Sequence, residues 1–345
     1  MAAQFDFKKR LGAGHFGEVW LVTDTGLNAT RALKLIPPNK IPDPNNFFRE
    51  AQILKSAEHP NIVHVEETGT LADGRVYVAM EYLKNGSLED EASGSYIPLT
   101  RAKKLMIDML RGLEHAHVKG IIHRDIKPAN ILIGNACEGK LSDFGLALSS
   151  IKDARNGGIR KYDYTPHIAP EVYNGKDHSV VSDVYASGVT LYRIVNGDSY
   201  LPTTPTDEVP DEAAKGLYPN REKYRAFIPR PLRMVINKAM SVNPSDRYTS
   251  ARELRSALER AILTIDWNES TFSDRTVWSA ARNGHTYELE LYESTNGHSQ
   301  VTAKKGPNAA KLRRMGSLCS AHSSRESGWK TAGKVLQHFV LGKLN

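Results

Sequence analysis

His123-Arg124-Asp125-Ile126-Lys127-Pro128-Ala129-Asn130 is followed, thirteen residues after its last member, by Asp143-Phe144-Gly145. In this pattern an Asp can orient an attacking hydroxyl and accept its proton, and a Lys two positions later can neutralise a transferring phosphoryl group. An Asn and a second Asp offer the oxygen ligands that hard divalent cations prefer. The spacing therefore indicates a site for metal-assisted phosphoryl transfer, built on a turn and a strand end.

A glycine-rich stretch, Leu11-Gly-Ala-Gly-His-Phe-Gly-Glu-Val19, lies between two segments that alternate as strands do. Dinucleotide-binding folds share these three glycines, but there a helix follows them, whereas a second strand is predicted here. The glycines suit a hairpin that closes over phosphate groups and offers them backbone N–H donors.

These motifs resemble those of eukaryotic-like (Hanks-type) serine/threonine protein kinases, and the resemblance covers about residues 6–264. It implies an α+β, bilobal protein-kinase-like fold with a small β-rich N-lobe and a larger helical C-lobe. We expect residues 1–265 to form the kinase domain, with an N-lobe of residues 1–83 and a C-lobe of residues 84–265. Residues 266–345 match no recognised motif and are expected to form a small, basic α+β accessory domain.

By this resemblance the catalytic residues include Asp125, which orients the substrate hydroxyl, and Lys127, which stabilises charge on the γ-phosphoryl group of ATP. Lys34 is expected to contact the α- and β-phosphates and to pair with Glu50 on the next helix. Lys127 is also typical of the serine/threonine form of the loop, so the resemblance implies transfer to serine and threonine hydroxyls.

The resemblance also implies a nucleotide pocket between the lobes. Met80 would guard its back, and the backbone of Glu81 and Leu83 would read the adenine edge. The pocket residues are expected to be Leu11, Gly12, Gly14, Gly17, Val19, Ala32, Lys34, Met80, Glu81, Leu83 and Leu132. The expected metal ligands are Asn130 and Asp143, with Mg²⁺ as the ion and Mn²⁺ as an alternative.

The activation segment is expected over residues 143–171. Autophosphorylation is predicted there, with Thr165 the first candidate and Ser149 or Ser150 the next, because Arg124 offers a positive site for a phosphate. The alternative is that these hydroxyls simply suit a solvated loop.

The end of that segment, Asp163-Tyr-Thr-Pro-His-Ile-Ala-Pro-Glu171, departs from the family pattern Gly-Thr-Pro-x-Tyr-x-Ala-Pro-Glu. Because this loop normally contacts the substrate, substrate choice is the property that the departure affects most. Arg247 is expected to form a structural ion pair with Glu171, one that is costly to break if it is buried.

Composition limits the class of protein. Hydrophobic residues make up 40% of the chain and charged residues 25%, as in ordinary globular proteins. The two cysteines, Cys137 and Cys319, lack metal-site or disulfide spacing, and no apolar run reaches the roughly 18 residues of a spanning helix. We therefore expect a cytoplasmic protein that has no membrane partner.

The net charge of +7 is concentrated near the C-terminus. Residues 295–345 hold nine basic side chains and one acidic side chain, Glu326. This segment could bind nucleic acid or an acidic protein, or simply aid solubility. Residues 287–303 predict a β-hairpin, and Asn308–Met315 and Thr331–Leu344 are interpreted as helices.

The favoured hypothesis is an active, ATP-dependent serine/threonine protein kinase that acts on a protein substrate. Two alternatives are a pseudokinase-like scaffold and a kinase recruited to nucleic acid or to a partner through residues 266–345. The intact Lys34, Asp125, Asn130 and Asp143 argue against the scaffold.

Overall fold

The computed structural model describes residues 5–14, 17–40, 55, 58–144, 166–205 and 208–344. Five antiparallel strands form the N-terminal sheet, in the order β1-β2-β3-β5-β4. They are β1 (Phe5–Gly14), β2 (Gly17–Asp24), β3 (Ala29–Ile36), β4 (Val65–Thr70) and β5 (Val76–Glu81).

Alternation along β3 gives this sheet two different faces. Leu33 and Leu35 pack with Val22 into a buried apolar cluster on one face. Side chains alternate across a strand, so Ala32 and Lys34 lie on the opposite face. Lys34 therefore lies on the face of the sheet that is turned toward the rest of the chain.

The middle of the chain is mostly helical. Its helices are α1 (Leu88–Ala92), α2 (Leu99–Val118), α3 (Pro170–Tyr173), α4 (Val180–Asn196), α5 (Val209–Ala214), α6 (Arg230–Ala239) and α7 (Ala251–Glu259). A short hairpin of β6 (Ile131–Ile133) and β7 (Gly139–Leu141) follows α2. Helices α2 and α4 bury most of their side chains and form the centre of this lobe.

Helix α4 has clear sequence-encoded ends. Ser179 caps its start, because its side chain accepts from the Ser182 N–H while the Ser182 hydroxyl accepts from the Ser179 N–H at 2.8 Å. Gly197 follows its end with φ +77°, a conformation that glycine adopts without the strain a Cβ would bring. These two caps fix where the helix begins, beneath the catalytic loop, and where it ends.

A second antiparallel sheet follows, in the order β12-β11-β10-β9-β8, with β13 pairing with β11. Its strands are β8 (Asn268–Thr271), β9 (Arg275–Arg282), β10 (His285–Glu293), β11 (Ser299–Gly306), β12 (Arg313–Arg314) and β13 (Ser320–His322). The predicted hairpin is confirmed, since β10 pairs with β11 from Thr286–Gly306 to Glu293–Ser299.

The two helix predictions in this region have different outcomes. The later one is confirmed as α8 (Arg325–Val340), which begins earlier than predicted because Ser324 caps it, and which ends before Leu344. The helix predicted over Asn308–Met315 is wrong. Its residues form a single turn of 3-10 helix over Ala309–Lys311 and then strand β12, whose backbone pairs with β11.

The second sheet is joined to the helical lobe by a polar contact at its base. The Tyr96 hydroxyl donates to the Trp267 carbonyl oxygen at 2.8 Å and accepts from the Glu269 N–H at 2.8 Å. Arg225 lies 4.1 Å from the Tyr96 ring centre and donates to the Glu269 carboxylate at 2.5 Å. The other Glu269 oxygen accepts from the Trp278 indole at 2.7 Å, so one carboxylate links both regions.

Apolar packing is continuous across the same junction. One buried cluster contains side chains of α2 and α4 together with Trp267, Trp278 and Phe339. Among the residues that the structure describes, no helix has both the length and the apolar character needed to cross a membrane.

Candidate active site

The catalytic loop is held by a carboxylate beneath it. Asp183, at the start of α4, accepts from the backbone N–H groups of His123 at 2.8 Å and Arg124 at 2.9 Å. His117, at the end of α2, lies 2.9 Å from the same carboxylate through its Nε2. Burial alone would raise the pKa of Asp183, but the His117 hydrogen bond and the nearby imidazoles hold it below its usual value.

His123 connects this loop to the segment after β7 that carries Asp143. Its ring is fully buried, its Nε2 lies 2.9 Å from the Ser142 carbonyl oxygen, and its Nδ1 accepts from the Asp125 N–H at 3.3 Å. Burial lowers the pKa of His123, so the ring is neutral and its single proton is assigned to Nε2. The ring also packs on Phe144, with centroids 4.6 Å apart.

Three of the predicted residues meet within the loop. The Lys127 ammonium lies 2.7 Å from Asp125 Oδ2. The Asn130 amide nitrogen donates to the same oxygen at 2.9 Å and to the Asp125 carbonyl at 2.7 Å. This arrangement fixes the Asp125 carboxylate through the Asn130 nitrogen and does not use the Asn130 amide oxygen.

Asp143 follows the loop and contacts the N-terminal sheet. The Lys34 ammonium donates to its Oδ1, which brings together residues 109 positions apart. The carboxylate lies deep in the cleft, yet 41% of the side chain is open to solvent. Burial would raise the pKa of Asp143, but the charge and hydrogen bond of Lys34 lower it, so the carboxylate is ionised. Its φ of +57° is rare outside glycine, a strain often found at functional sites.

The predicted pocket residues line up along the strands. Ala32 stands opposite Met80 in the β3–β5 pair, and Val19 stands opposite Lys34 in the β2–β3 pair. Leu132 forms a backbone bridge with Ser87 below. The described members of the predicted pocket therefore come from the two sides of one cleft.

Glu81 has little left to offer a nucleotide except its carbonyl. Its N–H donates to the His64 carbonyl at 3.1 Å, and its carboxylate pairs with Lys140 at 2.7 Å. The Glu81 N–H is therefore already used within the protein, and the adenine contacts of Glu81 and Leu83 stay a prediction.

The glycine-rich hairpin requires a glycine at its turn. Gly14 pairs with Gly17 in the β1–β2 register, and Gly17 has φ +145°. A Cβ added to Gly17 would lie 1.9 Å from the Leu35 carbonyl oxygen, so no other residue fits. Gly12 has open space around it, and Leu11 is 40% exposed.

Glu171 and Arg247 form a bidentate pair below the cleft. Arg247 Nη1 donates to Glu171 Oε1 at 2.7 Å and Arg247 Nη2 donates to Glu171 Oε2 at 2.7 Å. Both residues are buried. Arg247 also donates to the carbonyls of Val181 at 3.0 Å and Val242 at 3.0 Å. The pair holds the start of α3 to the end of the helical lobe.

Several predicted residues lie outside the described part of the chain: Glu50, Thr165, Ser149 and Ser150. Sequence reasoning missed His117, whose role depends on a contact with Asp183 across 66 positions. It also missed the burial of His167, although the departure from the family pattern at that position was a signal.

The donor set suits a hard divalent ion. Because the Asn130 nitrogen is used on Asp125, its amide oxygen is the free group, and Asp143 supplies an ionised carboxylate. The described residues contain no cluster of three His, Cys, Asp or Glu that could hold a metal ion alone. Such a sparse set fits an ion that is held mainly by one carboxylate and by nucleotide phosphates.

Comparison with known proteins agrees with this geometry. The protein kinase domain family matches residues 5–259. Serine/threonine-protein kinase PknJ of Mycobacterium tuberculosis is 30% identical over 285 residues, which cover 75% of this chain and 46% of PknJ. Serine/threonine-protein kinase PknB of Mycobacterium leprae is 31% identical over 274 residues, which cover 75% of this chain and 43% of PknB.

The chain thus spans less than half the length of these curated relatives. The family match nevertheless extends from the first strand of the N-terminal sheet to the last helix before the second sheet. With the catalytic loop, the Asp143 carboxylate and the β3 lysine in one cleft, the chain belongs to the Hanks-type serine/threonine protein kinase family.

Proposed function

We propose that this chain transfers the γ-phosphoryl group of ATP to serine and threonine hydroxyls of proteins. The observation that carries the proposal is the cleft itself. Lys127 at 2.7 Å and Asn130 at 2.9 Å hold the Asp125 carboxylate, while Lys34 reaches Asp143 from the opposite side. A scaffold that only binds would not need these four polar groups to converge.

Each residue has a defined part in the reaction. Asp125 accepts a hydrogen bond from the substrate hydroxyl and takes its proton as the oxygen attacks. A bond forms between that oxygen and the γ-phosphorus, the bond to the bridging oxygen of the β-phosphate breaks, and ADP leaves. Lys127 stabilises the charge on the transferring group, and Lys34 holds the α- and β-phosphates.

Members of this family use ATP and a divalent metal. Mg²⁺ is the ion assigned here, with Mn²⁺ as a substitute, because Asn130 and Asp143 are oxygen donors. Asn130 and Asp143 would hold the ion, which would supply positive charge that offsets the charge of the phosphates. Glu50 is assigned as the partner of Lys34 once the nucleotide is bound.

The experiment that tests the proposal is transfer of labelled γ-phosphate from Mg-ATP to the chain itself and to a generic basic protein. Asp125→Ala should lower transfer by at least about 100-fold, because the hydroxyl loses its base. Asp73→Ala is a matched control, since Asp73 lies in an exposed turn and pairs with Arg75. Equal transfer by wild type and Asp125→Ala would refute the assignment.

Autophosphorylation is proposed at Thr165, and then at Ser149 or Ser150. Label that maps to this segment in wild type and is lost in Asp125→Ala would support it. Label confined to other residues would contradict it while leaving the kinase proposal intact.

Residues 266–345 are proposed to be an accessory domain that binds an acidic protein segment. Four cations at one side of this domain, here called the basic edge, are Lys305, Lys311, Arg313 and Arg314. Lys305 is half-buried and the other three are exposed. Among the described residues, no carboxylate lies within 4.0 Å of any of the four. Their neighbour Lys304 is different, because it pairs with Glu288 at 2.7 Å.

An acidic protein is favoured over nucleic acid because the aromatic ring beside the basic edge is not available for base stacking. Tyr287 lies under Lys305 at 5.3 Å and is only 3% exposed. Arg313 and Arg314 form the outermost strand of the sheet, where an extended segment can lie alongside.

Fluorescence anisotropy with a glutamate-rich peptide and with a single-stranded DNA oligonucleotide tests this second proposal. The double variant Arg313→Gln/Arg314→Gln should weaken peptide binding at low salt about tenfold. Lys330→Gln/Lys334→Gln removes the same charge from the exposed side of α8 and should leave binding unchanged. Tighter binding to DNA, or no binding to either probe, would contradict the assignment.

The cytosol is the assigned compartment, because Cys137 and Cys319 are free thiols, which stay reduced there. Oxidation of either thiol in protein isolated under non-reducing conditions would argue against this location.

A further inference from the structure

A small cavity lies against the catalytic loop. It leaves about 10 Å³ for the centre of a water molecule. Its walls include the residues Arg124, Asp125, His167, His178, Ser182 and Asp183. A space of roughly 10–15 Å³ is enough to hold one water when polar partners surround it.

His167 is the unusual member of this wall. It is only 3% exposed, and neither ring nitrogen has a hydrogen-bond partner among the described residues. A buried polar group without a partner costs roughly 1–3 kcal/mol, so such groups are uncommon and call for an explanation. A neutral imidazole has one donor and one acceptor, which are the two groups that a water molecule can satisfy.

The His167 ring is neutral in the folded protein. Burial, with the positive charges of Arg193 and Lys127, holds the pKa of His167 well below its ordinary value of 6.5. The ring therefore offers hydrogen bonds at physiological pH, without adding a charge beside the catalytic carboxylate.

Most other polar atoms around the cavity are already used. Both Asp183 oxygens accept from the loop backbone. The Ser182 hydroxyl donates to the Ser179 carbonyl at 2.8 Å. Asp125 Oδ2 accepts from Asn130 and pairs with Lys127. Asp125 Oδ1, the Arg124 guanidinium and the His178 ring have no hydrogen-bond partner among the described residues, and Asp125 Oδ1 is the carboxylate oxygen among them.

We propose that His167 is a positioning residue for the catalytic base: one water molecule in the cavity links its ring to Asp125 Oδ1. With Lys127 and Asn130 on the other oxygen, this water fixes the rotation of the carboxylate and therefore the direction of the oxygen that meets the substrate hydroxyl. The inference rests on the proposed kinase function and adds a residue to the group that orients Asp125. It also explains why a polar ring is kept where an apolar one would pack without an unpaired group.

The test compares His167→Phe, which fills the space without polar atoms, with His167→Gln, which keeps a donor and an acceptor. His167→Phe should lower kcat for peptide phosphorylation about tenfold, since small displacements of a catalytic group reduce the rate strongly. The KM for ATP should stay within about twofold, because the nucleotide pocket is untouched. His167→Gln should recover kcat to within about threefold of wild type.

His115→Phe is the matched control. Its ring also has a buried nitrogen without a partner, and it stacks on His59 with centroids 5.1 Å apart, away from the cavity. A general cost of replacing a buried imidazole would appear in both Phe variants, whereas loss of kcat in His167→Phe alone supports positioning. Unchanged kcat in His167→Phe, or equal loss in the Gln variant, overturns the proposal.

A readout that does not need activity separates this inference from the kinase proposal. A high-resolution crystal structure of the full chain should show one water within hydrogen-bond distance of His167 and Asp125, absent in His167→Phe. If wild type transfers no phosphate but the water is present, the kinase proposal fails and the link between the two residues stands. A dry cavity overturns the link even in an active enzyme, and it remains decisive if a variant does not fold.

Discussion

The catalytic loop and the C-terminal sheet are stabilised in opposite ways. In the loop, specific polar groups hold the backbone: Asp183 accepts two loop N–H groups, and His123 joins the loop to Ser142. In the sheet, alternation buries an apolar face that includes Trp278, and Phe339 of α8 is in the same buried cluster; each is at most 1% exposed. A polar network specifies one geometry and points to chemistry, whereas an apolar face specifies a fold and says little about function.

The largest effect is expected from Phe339→Ala, which tests whether the C-terminal sheet is independent of the kinase lobe. The ring packs against Trp267 and Tyr287 with centroids 5.7 and 5.2 Å away. Its loss should cost about 4 kcal/mol of the free energy of unfolding, through lost burial and a cavity.

Because the core is continuous across the junction, calorimetry should show one transition that moves as a whole. Phe272→Ala is the control, since that ring is 53% exposed and its removal should change little. Two transitions, with only one shifted, would show that the regions unfold separately.

Next in size is Asp183→Asn, which should damage both stability and catalysis. The amide has one acceptor oxygen where the carboxylate has two, so buried N–H groups lose partners, at about 3 kcal/mol. Phosphate transfer should fall about 100-fold as the loop loosens. Asp108→Asn is the control, because Asp108 is also buried and paired but lies on α2. Similar activity loss in both variants would mean that the Asp183 effect is not local.

Glu269→Gln should have an intermediate effect on stability and almost none on catalysis. It weakens a charge-assisted bond to Arg225 at a half-buried junction, for a loss of about 2 kcal/mol in urea unfolding. Phosphate transfer should stay within about twofold, since the catalytic loop is untouched. Glu288→Gln, which pairs with Lys304 on the open face, should cost less than about 1 kcal/mol. Equal losses in the free energy of unfolding would show that the Glu269 contact at the junction stabilises the protein no more than the Glu288 pair on the open face.

The smallest effect is expected in the pH dependence of stability. Folded His167 stays neutral, while the unfolded ring binds a proton below about pH 6.5, so the unfolded state holds more protons. The free energy of unfolding should therefore decrease as pH falls below 6.5, by up to about 1.4 kcal/mol per pH unit for this group.

His167→Phe should flatten that slope in urea titrations between pH 7 and pH 5, although other buried imidazoles such as His123 keep part of it. His285→Phe, at an exposed position, should leave the slope unchanged. An unaltered slope in His167→Phe would show that the ring is protonated or that it is not buried in solution.

The fold of the kinase region and the identity of its family could be predicted from sequence, because the required chemistry restricts residue types at fixed spacing. Asp125 and Asn130 are close in sequence, so the turn that joins them also places them together. Partners that are distant in sequence were predicted only where the family resemblance supplied them, as for Glu171 and Arg247. The contact of His117 with Asp183 depends on how α2 packs against α4, which no local pattern encodes.

The wrong helix over Asn308–Met315 has a similar cause. Its apolar residues recur at helical spacing, but the segment is short and is bounded by Gly306 and Gly316. Pairing of Arg313 and Arg314 with β11 satisfies backbone groups that such a short helix would leave open to water. Tertiary pairing therefore overrode local propensity.

The contact between Lys34 and Asp143 makes the Lys34 ammonium and a metal ion competitors for one carboxylate. A cation that binds Asp143 through Oδ1 displaces the ammonium already in contact with that oxygen, so the apparent metal affinity includes an exchange with Lys34. A bound nucleotide gives the Lys34 ammonium phosphate oxygens to contact, which removes its competition with the metal ion. Binding of the metal ion and binding of the nucleotide are therefore cooperative. Lys34→Met should bind the metal ion alone more tightly than wild type, even though it has lost the group that holds the phosphates.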